Sequence, residues 1–167
     1  MLLREVNSRD AEGLVRLIKQ VESESQYMLF EAGERNLETE HQAKRIEAMK
    51  KEGNSTIFVA EENADLIGYL IVIGGYAKRN KHSVYLVIGI LSQYRGLGIG
   101  TKLFEELEKW AMVHQIHRLE LSVVAHNEAG IRLYRKMGFE IEGTKRHSLV
   151  INGEYVDEYY MSKLLGS

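Results

Sequence analysis

Residues 93–103 read Gln-Tyr-Arg-Gly-Leu-Gly-Ile-Gly-Thr-Lys-Leu, and they separate two strongly patterned segments. The apolar run Val84–Leu91 before them is typical of a buried strand. The residues after them repeat apolar side chains at helical spacing. Three glycines on alternate positions leave the backbone bare of side chains where this helix begins. Because the first N–H groups of a helix are unpaired and carry partial positive charge, the segment predicts a site for a phosphate or pyrophosphate.

Two nucleotide-binding loops come close to this pattern, and neither fits it. A Walker loop requires Gly-Lys-Ser/Thr, whereas residues 100–102 read Gly-Thr-Lys, so the lysine comes one place late. The dinucleotide fingerprint G-x-G-x-x-G needs a glycine where the chain has Thr101. The acidic partner of that fingerprint would be Glu120, which lies inside an apolar strand pattern rather than at a strand end. A nucleotide-binding domain is therefore a disfavoured interpretation.

Length and composition narrow the classes of protein. The chain has 167 residues, which predicts a single domain over residues 1–167 that buries its own core. Its 22 Lys and Arg against 24 Asp and Glu give a net charge of −2, which argues against nucleic acid as a partner. The absence of cysteine removes disulfides, thiolate metal sites and acyl-cysteine intermediates. No apolar run approaches the roughly 20 residues that span a bilayer, and the start is too short and too charged for a signal peptide. We therefore expect a cytoplasmic protein without a membrane partner.

Periodicity along the chain predicts alternating strands and helices. Helical spacing covers residues 10–21, 39–51, 99–113 and 128–137, and strand patterns cover residues 2–6, 56–61, 66–74, 82–91, 118–124, 139–151 and 154–164. Asn152-Gly153 predicts a type I′ hairpin between the last two strands. This α/β order, with both hairpins and crossovers, predicts a mixed central β-sheet of about seven strands flanked by about four helices.

A second motif follows the glycine-rich segment after one predicted strand. Residues 127–139 read Asn-Glu-Ala-Gly-Ile-Arg-Leu-Tyr-Arg-Lys-Met-Gly-Phe. On a helix, Asn127 and Tyr134 share one face and lie roughly 10 Å apart along the axis. Gly130 lies between them and is small enough for a ligand to lie alongside.

The two motifs together resemble those of the GNAT superfamily, the acyl-coenzyme A-dependent N-acetyltransferases. Gln93-x-x-Gly96-x-Gly98 is similar to the pyrophosphate loop of that family, and residues 127–139 are similar to its second signature. The resemblance spans most of the chain and is strongest from about residue 82 to residue 139. It implies the GNAT fold for the predicted α/β sheet.

The resemblance also implies an activity: acetyl transfer from acetyl-CoA, as co-substrate, to a primary amine, by direct attack in a ternary complex and without a metal. It implies that Tyr134 is the general acid that protonates the departing thiolate. A backbone N–H on the strand Val87–Ile90, beside a bulge at Gly89, is expected to stabilise the charge that develops on the thioester oxygen. The residues expected to bind the co-substrate are Ile88, Ile90, Arg95, Gly96, Leu97, Gly98, Ile99, Gly100, Thr101, Asn127 and Tyr134.

Several features stay open at the level of sequence. Some family members carry a glutamate base where this chain has Ser122, so the general base is Tyr85, Glu120 or a water chain. The acceptor is a polyamine, a small amine, an amino acid or a protein N-terminus. A mouth for a cationic amine could be formed by the acidic residues Glu22, Glu24, Glu31, Glu34, Glu154, Asp157 and Glu158. The alternative function is a catalytically silent CoA-binding sensor or partner-binding module, and a homodimer remains an option.

Overall fold

The computed structural model describes residues 1–166, which form one seven-stranded sheet with helices on both faces. The strands are β1 (Leu2–Glu5), β2 (Thr56–Glu62), β3 (Asp65–Gly74), β4 (Ser83–Ile90), β5 (Arg118–Val124), β6 (Glu140–Ile151) and β7 (Glu154–Leu164). The helices are α1 (Ala11–Glu24), α2 (Thr39–Glu52), α3 (Ile99–Val113) and α4 (Glu128–Lys136). This element order confirms the predicted mixed α/β architecture. Within residues 1–166, no helix is long and apolar enough to cross a membrane.

The sheet opens between its two central strands. The strand order is β1-β2-β3-β4-β5-β7-β6, and among the strand pairs of residues 1–166 only β4 and β5 run parallel. These two strands pair only where Ser83–Tyr85 meets Arg118–Glu120. Beyond that short ladder β4 stays on β3 as far as Ile90, and β5 stays on β7 as far as Val124. The carboxyl ends of β4 and β5 therefore diverge and leave a gap within the sheet.

Each face of the sheet has its own apolar core. The helices α1 and α2 cover one face, where the buried side chains include Leu14, Ile18, Ile46, Ile57 and Tyr69. The helices α3 and α4 cover the opposite face, where the buried side chains include Leu103, Leu107, Leu119, Tyr134 and Phe139. Because full burial of one Leu or Ile side chain stabilises a fold by about 1.5–3 kcal/mol, these apolar stripes hold the helices against the sheet.

The helix α1 ends about one turn later than the sequence predicted, at Glu24 rather than Val21. One carboxylate oxygen of Glu24 accepts a hydrogen bond from the backbone N–H of Ser92 at 2.8 Å, and the other accepts from the side chain of Gln20 at 3.0 Å. The first bond ties the end of α1 to the segment that leaves β4. The connection between α1 and α2 therefore starts beside the gap.

The turn between β6 and β7 is the type I′ turn that Asn152-Gly153 predicts. The φ angles of Asn152 and Gly153 are 51° and 77°, and this turn type requires a positive φ at both central residues. The turn sets the register of the hairpin, in which Ile151 pairs with Glu154.

Candidate active site

The glycine-rich segment presents exposed backbone at the start of α3. Gly96 and Gly98 have φ angles of 76° and 82°, in the left-handed region that side chains other than glycine rarely adopt. A Cβ at either position would have no atom within 4 Å, so the space beside these residues is open. Gly98 directly precedes α3, and its carbonyl accepts the first helical hydrogen bond from Lys102 at 3.1 Å. The loop can therefore turn its N–H groups toward an anion, as predicted for a pyrophosphate site.

The third glycine of the segment has a different surrounding. A Cβ at Gly100 would lie 2.8 Å from Cδ2 of Leu133 on α4, so this glycine allows α3 and α4 to pack closely. Ile99 is buried beside it, whereas Leu97 is exposed. Thr101 is half-buried, and its hydroxyl accepts a 3.4 Å hydrogen bond from Lys136 of α4. Gly100 thus faces the protein, and only its backbone N–H is left for a ligand.

The strand β4 lines one side of the gap. Its pairing with β3 runs from Val84 to Ile90 without a register shift, so the bulge predicted at Gly89 is wrong. A Cβ at Gly89 would lie 2.6 Å from the ring of Tyr69, the residue paired with it on β3. The glycine therefore gives space to the Tyr69 ring. Ile88 is partly buried and packs toward α3 and α4.

The loop and the strand are also joined by Arg95 and Ile90. Arg95 is exposed, and its Nε donates a long hydrogen bond of 3.4 Å to the carbonyl of Ile90. Ile90 is partly buried against the same core as Ile88. The Arg95 guanidinium is thereby kept near the end of β4, where its charge is available to an anion on the loop.

The two candidate bases named from the sequence lie opposite each other at the closed end of the gap. Tyr85 and Glu120 are paired residues of β4 and β5. The Glu120 carboxylate accepts two hydrogen bonds from Arg118, at 3.0 and 2.8 Å, and Arg118 also pairs with Glu142. The Tyr85 side chain is 38% exposed and forms no hydrogen bond within residues 1–166. Glu120 is thus already engaged, whereas Tyr85 is free to contact a ligand.

The helix α4 begins at the second motif. The Oδ1 of Asn127 accepts a hydrogen bond from the N–H of Gly130 at 3.0 Å and so caps the helix. A Cβ at Gly130 would lie 2.7 Å from Nδ2 of Asn127, so the glycine leaves space for the capping side chain. With its oxygen engaged, Asn127 retains its Nδ2 group as a donor.

Tyr134 lies on the buried face of α4 and is 8% exposed. Its ring makes edge-to-face contacts with Phe104, at 5.9 Å between centroids, and approaches Phe139 at 6.2 Å. Burial, with a smaller contribution from the nearby Tyr85, raises the pKa of Tyr134 to about 12. The phenol therefore holds its proton at neutral pH, which is the state that a general acid needs.

Most of the acidic residues that the sequence offered as a mouth for a cation are engaged within the protein. Glu22 is buried and pairs with Arg35, Asp157 accepts from the N–H of His147, and Glu158 accepts from Ser148. Glu31 and Glu34 are exposed, and the Glu34 carboxylate accepts from the N–H of Glu31 at 3.1 Å.

Sequence reasoning missed Arg35 and Tyr69 beside this site. Arg35 is a lone cation in an acidic segment, and that contrast of charge is a signal that could have marked it. Tyr69 is an aromatic residue two places before Ile71 in an apolar strand, and nothing in the sequence separates it from a core residue.

Known proteins share these motifs and this fold. The model of the acetyltransferase (GNAT) family matches residues 20–139. The chain is 34% identical over 110 residues to the L-amino acid N-acetyltransferase AaaT of Escherichia coli (strain K12), and the match covers 64% of this chain and 66% of that relative. The acetyltransferase of GNAT family from Streptococcus pneumoniae has a TM-score of 0.94 and 30% identity, with 99% of both chains covered. The structure of YncA from Salmonella typhimurium with its cofactor acetyl-CoA has a TM-score of 0.88 and 20% identity, with 100% of this chain and 95% of YncA covered.

The matched segment spans most of the chain, and the chain belongs to the acetyltransferase (GNAT) family. By class it is an acetyltransferase. The family that the two sequence motifs indicate is thus confirmed. The match to the relative from Escherichia coli spans just under two thirds of that protein.

Proposed function

We propose that the chain transfers the acetyl group of acetyl-CoA to a primary amine by direct attack of the amine within a ternary complex. The observation that carries the proposal is the gap between β4 and β5. The open amides of the glycine loop lie at one end of it. Tyr85 rises from its closed end, and Tyr134 of α4 is near Tyr85. A long ligand in this gap would have an anion site at one end and a proton donor at the other.

The loop and α4 supply the groups that would hold the co-substrate. The N–H groups around Gly96 and Gly98 would bind the pyrophosphate, and the Arg95 guanidinium would add a positive charge beside it. Ile88 and Ile90 would contact the chain that lies along β4, and the Nδ2 group of Asn127 would donate to it from α4. Leu97, Ile99, Gly100 and Thr101 would contribute through their backbone N–H groups. The Ile99 side chain is buried, and the Thr101 hydroxyl is bound to Lys136.

Three chemical tasks fall to this chain during transfer. The edge of β4 beyond Tyr85 does not pair with β5, so a backbone N–H there is free to stabilise negative charge on the thioester oxygen. As the C–S bond breaks, Tyr134 would donate its proton to the thiolate and recover one from solvent. The attacking amine must lose a proton, which passes either to the phenolate form of Tyr85 or to solvent through water that the Tyr85 hydroxyl contacts. Direct attack requires no enzyme thiol, and the chain has no cysteine.

The test is release of the CoA thiol from acetyl-CoA across a panel of amines. Free amino acids belong in the panel because the relative from Escherichia coli is named an L-amino acid N-acetyltransferase. Polyamines, small monoamines and peptides with free N-termini complete it. Amine-dependent thiol release, with the acetylated amine detected by mass spectrometry, is the expected result. Binding of acetyl-CoA without transfer to any member would instead support the silent CoA-binding module.

A further inference from the structure

A cluster of polar side chains is buried between α1, α2 and β3, beside the gap. Glu22 of α1 is only 4% exposed and forms an ion pair with Arg35, which lies in the connection between α1 and α2. The Arg35 guanidinium also stacks on the ring of Phe30, at 4.4 Å from the centroid. These two contacts fix the Arg35 side chain within the protein.

Two buried hydrogen-bond donors, one on Arg35 and one on Gln42, have no acceptor within residues 1–166. The Nε atom of Arg35 and the Nε2 atom of Gln42 are buried without a partner, and the Gln42 side chain is 4% exposed. The Tyr69 side chain is 1% exposed. A buried donor without an acceptor costs about 1–3 kcal/mol. The two unpartnered donors, one on α2 and one in the connection that precedes it, therefore indicate a missing acceptor.

The charges of the cluster are also unbalanced. Arg45 lies one turn beyond Gln42 on α2 and is half-buried, and it has no carboxylate within 4.0 Å among residues 1–166. Burial and the neighbouring Arg35 lower the pKa of Arg45. Of these two neighbouring guanidinium groups, only that of Arg35 has a carboxylate partner among residues 1–166, namely Glu22. The cluster lacks one negative charge.

Tyr69 connects the cluster to the site of acetyl transfer. Its ring lies against Gly89 in the part of β4 that borders the gap, and its hydroxyl is near Glu22 and Arg35. Burial and Glu22 raise the pKa of Tyr69, so the hydroxyl is a donor at neutral pH. A group bound by this hydroxyl would lie beside the β4 backbone that is proposed to bind the thioester oxygen.

We propose that Arg35, Gln42, Arg45 and Tyr69 bind a carboxylate of the amine acceptor, so that the acceptor is a free amino acid or a similar small amine with a nearby carboxylate. The inference rests on the proposed function and names the substrate class of the same site. A carboxylate supplies acceptor lone pairs and one negative charge, which are what the cluster lacks. A polyamine would bring further donors and positive charge to it. A protein N-terminus would bring a neutral peptide carbonyl in place of the carboxylate.

The first experiment compares acceptors that differ only at the carboxylate. For several side chains, the L-amino acid, its amide and its decarboxylated amine are supplied to the full-length protein, and kcat/KM is measured from thiol release. The amide has an α-amino pKa near that of a chain N-terminus, roughly 8, so more of it is free amine at pH 8 than of the acid. Intrinsic reactivity therefore favours the amide. We expect kcat/KM to be about 10- to 100-fold higher for the acid than for the amide. This is the ratio that one or more charge-assisted hydrogen bonds to the carboxylate would produce.

The second experiment changes the cluster without removing the partner of Glu22. Arg45→Gln is expected to raise the KM for the acid by about 10-fold or more and to reduce the ratio of acid to amide. Gln42→Leu replaces a buried, unpaired amide by an apolar side chain of similar size, so it should keep or raise the melting temperature while the same ratio falls. If Gln42 only supported the fold, its substitution would not lower the ratio of acid to amide while the melting temperature is kept or raised. Lys44→Gln is the matched control, because Lys44 lies between these residues on α2 and is exposed.

The outcomes separate the inference from the proposed function. Transfer to acid, amide and decarboxylated amine with equal kcat/KM would overturn the carboxylate site and leave the acetyltransferase in place. An unchanged ratio of acid to amide in both Arg45→Gln and Gln42→Leu would also overturn this assignment. Absence of transfer to every amine, with acetyl-CoA still bound, would overturn the proposed function and the inference together.

Discussion

Tyr85 and Glu120 form the last pair that joins β4 to β5, and the two strands diverge directly after it. Because paired residues of parallel strands point to the same face, both side chains rise from the closed end of the gap. Their surroundings differ, since Arg118 binds the Glu120 carboxylate whereas Tyr85 has no hydrogen-bond partner within residues 1–166. The pair therefore offers two candidate bases at one position, of which one is already engaged.

The first prediction separates these two candidates. Glu120→Gln should leave kcat within a few-fold of the wild type, because Arg118 keeps its second partner, Glu142. Tyr85→Phe should reduce kcat by roughly 10²-fold, the lower end of the range for general acid–base groups. The measurement is kcat at saturating amine, with acetyl-CoA affinity checked by calorimetry. A large loss in Glu120→Gln with none in Tyr85→Phe would assign the base to Glu120.

The second prediction concerns Tyr134 as the general acid. Tyr134→Phe keeps the ring and its contacts with Phe104, so the free energy of unfolding and the acetyl-CoA affinity should hardly change. Loss of the positioned proton should lower kcat by about 10²–10⁴-fold. The loss should be smaller with an acyl donor whose leaving thiol is more acidic, since that thiolate needs less help. Tyr155→Phe, on an exposed tyrosine of the hairpin, is the control.

The pH dependence of Tyr134 follows from its raised pKa. A general acid is active in its protonated form, which exists below its pKa. Burial raises the pKa of Tyr134 to about 12, so the active form persists above the ordinary tyrosine pKa of about 10. We expect no alkaline fall of kcat from this residue below about pH 10. A fall near neutral pH that disappears in Tyr134→Phe would contradict the raised pKa.

The sequence was sufficient for the element order and for the two motifs because both are local patterns. The period of apolar residues identifies strands and helices, and glycine spacing identifies the loop before α3. The divergence of β4 and β5 could not be predicted, because the apolar pattern of each strand is the same whether or not the two strands pair. The extension of α1 also depends on a distant partner, since Glu24 is held by Ser92 across the fold.

The glycines show the same limit at single residues. The sequence marks Gly89, Gly100 and Gly130 as unusual, but each is explained by a neighbour that only the fold brings close: the Tyr69 ring, the Leu133 side chain and the Asn127 amide. Gly96 and Gly98 differ because no neighbour explains them, and their backbone conformation is what excludes a side chain. A functional role is therefore best argued for these two.

The third prediction tests the role of Gly98 in the loop. In Gly98→Ala, the alanine either keeps φ 82° or changes its backbone conformation. The first costs about 1–2 kcal/mol for a left-handed residue, and the second turns the loop amides away from the ligand. Gly53→Ala is a matched control, since Gly53 has φ 79°, open space around it and lies at the end of α2. Both variants should lose similar stability in urea unfolding. Only Gly98→Ala should weaken acetyl-CoA binding in calorimetry, and equal affinities would remove the loop from the binding site.

The last prediction concerns the contact between Gly89 and Tyr69. Gly89→Ala would place a methyl group 2.6 Å from the Tyr69 ring, so the ring or the strand must move. Overpacking of this kind costs about 1–3 kcal/mol. Gly68→Ala is the control on the neighbouring strand, because its Cβ would meet no atom closer than 3.4 Å. Gly89→Ala should therefore lower the free energy of unfolding much more than Gly68→Ala does.

A double-mutant cycle tests whether the ring is the cause of that loss. Tyr69→Leu removes the atoms that the added methyl group would meet, so Gly89→Ala should be tolerated better in that background. The coupling free energy should fall within the range of about 0.5–3 kcal/mol seen for residues in contact. Additive losses in urea unfolding would mean that the methyl group disturbs β4 independently of Tyr69. Because Tyr69 also belongs to the proposed carboxylate site, Gly89→Ala alone should raise the KM for the acid acceptor as the hydroxyl is displaced.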